Sequence, residues 1–89
     1  MKAIVTVVGK DQVGIIAGVC NTLADENINV LDISQTIMQG YFTMMMVVEV
    51  SACNVPLAEL ARALDEKGRE MGMSIRLQRE DIFEAMHRI

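Results

Sequence analysis

Aromatic residues are almost missing from this chain. It has no Trp, one Tyr and two Phe, 3% of its 89 residues. Sequence-specific RNA surfaces stack bases on aromatic side chains beside basic groups. Here Tyr41 and Phe42 are the only candidates, and the net charge is −4 with an isoelectric point near 4.8. Such an acidic balance also argues against non-specific contact with nucleic acid or an anionic membrane. Histidine is limited to His87. It falls in the last turn of a terminal helical stretch, where it suits the helix dipole. No Cys–His or Ser–His–Asp catalytic set can be built around it. Asp11, Asp32 and the helix acids lack metal-binding spacing, so no metal, cofactor or catalytic residue is expected.

Cysteine is also sparse. Cys20 and Cys53 form neither a Cys-x-x-Cys motif nor a disulfide framework. Free, largely structural thiols fit a cytoplasmic protein. Lys2 is followed by a short apolar run that ends at Gly9, which does not read as a signal peptide. No stretch approaches the length of a membrane span.

What the chain has in excess is aliphatic surface. It is 52% hydrophobic, with eight Met residues and a mean hydropathy of +0.31. A single domain over 1–89 buries roughly 64% of its unfolded surface. That leaves apolar area to cover, and a second copy of the chain is the expected cover.

In order, the first strand runs through about Val8, with Ala3, Val5 and Val7 on one face and Ile4, Thr6 and Val8 on the other. A first helix is expected over about 13–26, with Ile15, Ile16, Val19, Cys20 and Leu23 at helical spacing. Gly14 and Gly18 lie four apart on it, which implies close packing on the sheet or on a neighbouring chain. A second strand spans about 30–38, with Leu31, Ile33 and Ile37 expected to point inward. Gln39-Gly40 is a hairpin turn. The third strand, 41–50, sets Phe42, Met44, Met46, Val48 and Val50 on one face. The other face, with Met45 and Val47, is too apolar to be fully solvated and reads as a partner surface. Pro56 opens a second helix, Leu57, Leu60, Ala61, Leu64 and Met71 form its stripe, and Gly72 ends it. Met73, Ile75 and Leu77 alternate with polar residues as strand four. A terminal helix over 81–89 has Asp81 and Glu84 in capping-box spacing and an apolar side of Ile82, Phe83, Met86 and Ile89.

The order βαββαβ predicts an α+β fold. Its core, over 1–79, is a ferredoxin-like, four-stranded antiparallel sheet with two helices on one face, and the short terminal helix is added to it. The chemistry then concentrates in the turn between the first strand and helix, Gly9-Lys10-Asp11-Gln12-Val13-Gly14. Helix N–H groups there are unpaired and carry the positive end of the dipole, so an anion can sit on them. Asp11 is expected as the helix N-cap, or as a counter-charge to an ammonium group. A plain capped turn is the simpler alternative. Gly9-Lys10 is followed by Asp11, so the turn is not a phosphate-binding P-loop. It has no paired cysteines for a metal and no Arg for a phosphate.

Two stretches, Gly9-Lys10-Asp11-Gln12-Val13-Gly14-Ile15-Ile16-Ala17 and Leu23-Ala24-Asp25-Glu26-Asn27-Ile28-Asn29-Val30, together resemble the ACT domain family. The likeness covers about residues 1–79. The whole chain is similar to small free-standing bacterial members, relatives of the glycine-cleavage transcriptional repressor. The resemblance implies paired sheets in a homo-oligomer and a small ligand, often an amino acid, held at a subunit interface. It implies that Asp11 and Gly14 stand at the ligand loop and that Asn29 is a ligand-contacting Asn. Val13 stands where the family usually has Pro, and Asn27 where it usually has Gly. The expected role is a non-catalytic regulatory module acting on a partner protein that the sequence does not name. The alternatives are an oligomerisation or protein-interaction module with a vestigial site and, third, an enzyme.

Overall fold

The computed structural model describes residues 1–81. Its elements are β1 (Lys2–Lys10), α1 (Ile15–Asp25), β2 (Asn29–Met38), β3 (Tyr41–Glu49), α2 (Leu57–Met71) and β4 (Ser74–Arg79). The strands lie in the order β2-β3-β1-β4, each antiparallel to its neighbour. This is the expected ferredoxin-like sheet. The expected terminal helix and its apolar side fall on residues 82–89, outside the described residues.

Both helices lie on one face because strand alternation supplies one apolar face. Ala3, Val5 and Val7 from β1, Met44, Met46 and Val48 from β3, and Ile75 from β4 are buried against Val19 and Leu23 of α1 and Leu60 and Leu64 of α2. The two helices end alike. Ile28 N–H donates to Leu23 C=O at 3.0 Å and Asn27 N–H to Ala24 C=O at 3.0 Å. Met73 N–H donates to Gly68 C=O and Gly72 N–H to Arg69 C=O. Each pair is a Schellman cap around a left-handed residue, Asn27 in the first case and Gly72 in the second. The left-handed Asn27 stops α1 at Asp25, short of the expected Glu26.

Two expectations are corrected at α1. Asp11 is not its N-cap. Gly14 occupies that position with φ +91°, and no side chain caps the helix. A left-handed residue cannot belong to the helix, so α1 starts at Ile15 and not at Val13. The close approach at Gly18 is made to α2, not to the sheet: a Cβ there would lie 3.0 Å from Met71 Sδ.

A third correction concerns β2. Leu31, Ile33 and Ile37 do not point into the core; all three are exposed. Leu31 falls in a bulge between Val30, paired with Val48, and Asp32, paired with Val47. Ile33 and Ile37 sit opposite Met46 and Phe42, on the helix side, but on an edge strand that the helices leave open. The Gln39-Gly40 hairpin forms as expected, with positive φ at both residues.

Candidate functional site

Residues 11–14 are pinned on two sides. Asp11 N–H donates to the Gly40 carbonyl at 2.8 Å, which ties the loop to the β2–β3 hairpin. The Gln12 side-chain amide donates to the Met71 carbonyl at 2.5 Å, which ties it to the end of α2. The loop is therefore held open by its neighbours and not by a cap of its own. Between the loop, the first turn of α1 and the far half of β2 lies a cleft of about 310 Å³. That is near the lower end for small-molecule pockets, roughly 300–1,000 Å³.

The cleft has a polar rim and an apolar floor. Asp11, Gln12 and Gly14 border it from the loop, and Gln35 borders it from β2. Ile16, Ile37 and Phe42 supply the apolar surface, with Phe42 buried and Ile37 55% exposed. The first N–H groups of α1 have no intrahelical partner and open at the helix's positive end. A carboxylate, an amide with both donor and acceptor, and free N–H groups thus share one concave surface.

The sequence candidates divide. Asp11, Gln12 and Gly14 line the cleft. Gly9 and Lys10 belong to β1: a Cβ on Gly9 would lie 2.4 Å from Met73 Sδ, and Lys10 pairs with Tyr41 at the strand end. Val13 projects fully into solvent. Asn29 pairs with Glu49 at the opposite end of β2, and β2 is ten residues long. At the rise of a strand, that separates it from the loop by roughly 30 Å. Within one chain, Asn29 and Asp11 do not meet. Gln35, which sequence reasoning missed, does reach the cleft; its one signal was a polar residue among the apolar positions of a strand.

A second polar cluster closes the far end of β3. The Met1 ammonium group pairs with Glu49 at 2.8 Å and also donates to Ser51 Oγ. Ser51 donates to the same carboxylate through its hydroxyl at 2.5 Å and its N–H at 3.0 Å. These bonds, the ammonium's first, hold Glu49 down to a pKa of about 2. The cluster has no cleft beside it and acts as a clasp on the chain start. Among the described residues no group of His, Cys, Asp and Glu could hold a metal ion, and no helix is long and apolar enough to cross a membrane.

Comparison with known proteins converges on one family. The ACT domain profile matches residues 2–78. A UPF0237 protein of Clostridium acetobutylicum is 56% identical over 89 residues, the full length of both chains. An ACT domain protein from Streptococcus pneumoniae superposes with a TM-score of 0.82 at 44% identity, over 94% of each chain. The regulatory subunit of aspartate kinase from Thermus thermophilus superposes with a TM-score of 0.68 at 28% identity, over 86% of this chain and 50% of that one.

Proposed function

Because the chain belongs to the ACT domain family, whose members bind small ligands in regulation, we propose that it is a non-catalytic sensor of a free amino acid. The observation that carries the reading is the composition of the cleft: Asp11 and Gln35 on the rim, free helix N–H groups beside them, and Ile16, Ile37 and Phe42 beneath. A zwitterion presents a carboxylate and an ammonium group a few ångströms apart. The α1 N–H groups take the carboxylate, Asp11 attracts the ammonium group, and the Gln35 amide bonds to either. The apolar floor favours an aliphatic side chain over a charged one.

Of the loop candidates, Gln12 serves by anchoring the loop and Gly14 by turning it. Lys10 and Val13 point elsewhere and serve the site least. Asn29 can contact the ligand only when a second copy of the chain brings it, so a subunit interface belongs to this reading. The aspartate kinase relative, a regulatory subunit, supports regulation as the purpose. The regulated partner would be another protein, reached in the cytoplasm.

The test is calorimetry of the full chain against the twenty amino acids. A cognate ligand at one hundred times its Kd stabilises by about 2.7 kcal/mol per site, a clear rise in melting temperature. If none of the twenty binds, the chain is an oligomerisation module with a vestigial site.

A further inference from the structure

The face of the sheet away from the helices carries charge in an ordered way. Alternation assigns Ile4, Thr6 and Val8 of β1, Met45 and Val47 of β3, Asp32 and Ser34 of β2, and Arg76 and Gln78 of β4 to it. None of the described helices covers it. Its middle is apolar, with Met45 37% and Val8 43% exposed. One edge is acidic at Asp32 and the other basic at Arg76. Both are exposed, and neither forms an ion pair among the described residues. Beside Asp32 the face is hollowed: about 200 Å³ opens between Ile4, Asp32, Ser34, Met45 and Val47, at the bulge that displaces Leu31.

We infer that this face binds the same face of a second copy, about a two-fold axis parallel to the strands, with the partner's Arg76 seated in the hollow against Asp32. The polarity of the face selects the axis. A rotation about the strand direction lays β2 over the partner's β4 and β3 over the partner's β1. Asp32 then faces the partner's Arg76, and, by the register of Lys2 with Glu49, Glu49 faces the partner's Lys2. An axis running across the strands would lay β2 on β2 and β4 on β4, like charge on like. The hollow suits an arginine, whose apolar stem packs on Ile4 and Met45 while its guanidinium reaches a carboxylate and a hydroxyl. The result is an aligned sandwich of two four-stranded sheets.

The area fits a real but weak dimer. Four strands at about 4.8 Å, each about six residues long, give a footprint of roughly 19 by 20 Å. Two such faces remove on the order of 1,000 Å², the low end of specific interfaces. Affinity then leans on the charged pairs, and each pair occurs twice because the contact is self-complementary.

Sedimentation velocity of the full chain, without added amino acid, tests this independently of the cleft. Wild type is expected to self-associate at tens of micromolar. Asp32→Arg places two arginines opposite each other, and Arg76→Asp places two aspartates; each variant alone should dissociate with a Kd raised roughly a hundredfold. Mixing the two variants restores both opposite-charge pairs, so the equimolar mixture should recover the wild-type mass. Circular dichroism of each variant checks that both remain folded. Where either is not, Asp32→Asn and Arg76→Gln replace them, and each alone should weaken association. A monomeric wild type, single variants that associate like wild type, or folded charge-reversal variants whose mixture stays monomeric would overturn the proposal.

Discussion

β2 and β3 pair along almost their whole length, and both alternate apolar with polar residues, yet they live in different environments. On β3, Phe42, Met44, Met46 and Val48 are buried. On β2, the residues opposite three of them, Ile37, Gln35 and Ile33, are exposed. Period two tells which face a residue shares; it does not tell how far the covering layer reaches. β3 lies inside the sheet and under the helices. β2 is an edge, and the helix side of its far half borders the loop of α1 instead of a helix. The strand that looks like core in sequence is therefore a wall of the cleft. β3 holds the fold together and β2 gives it something to recognise.

The sharpest way to break that comparison is to truncate one opposed pair. Met46 and Ile33 face each other across the ladder. Met46→Ala should cost roughly 2–5 kcal/mol, as removal of a fully buried large side chain does. Ile33→Ala, 44% exposed, should cost under about 1 kcal/mol on the same ground of lost burial. Chemical denaturation of both variants checks this. Equal costs would mean that β2 is covered in solution by something beyond its own chain.

A smaller effect separates the two strand ends. Glu49 closes β3 through the Met1 ammonium group and Ser51, while Asn29 opposite it makes no such clasp. The folded pKa of Glu49 is about 2 against an ordinary 4.5. A lowered carboxylate pKa contributes stability above the unfolded value, and that contribution is lost as pH falls through the folded one. The melting-temperature gap between wild type and Glu49→Gln should therefore be full above about pH 4.5 and close toward about pH 2. Asn29→Ala should give a gap that does not change over that range.

Much of the fold was legible in the sequence. Alternation in Met44, Met46 and Val48, the hairpin at Gln39-Gly40 and the stop at Gly72 are local signals, and local chemistry decides them. The misread positions were decided elsewhere. Asp11 looked like a cap because its side chain suits one, but Gly14 turns left-handed, and Asp11 is held by the hairpin carbonyl of Gly40. Ile33 and Ile37 looked like core because an edge strand and a central strand share one pattern. The site was half legible. Its loop announced itself through Gly9, Asp11 and Gly14, while Gln35 enters only because β2 and the loop meet through a bond at Gly40. Asn29 shows the converse: a residue suggested by resemblance that one chain holds at the far end of the same strand.

The central claim is that the far half of β2 and the loop form one ligand site. The most direct measurement is the ligand-induced shift in melting temperature, taken with the best-binding amino acid, for wild type, Gln35→Ala and Asn29→Ala. Both substituted side chains are exposed, so ligand-free stability should change by no more than about 0.5 kcal/mol. The account predicts that the shift collapses in Gln35→Ala, and that it falls in Asn29→Ala only under conditions where the protein is oligomeric. A shift in Gln35→Ala equal to that of wild type would contradict it and place the ligand elsewhere.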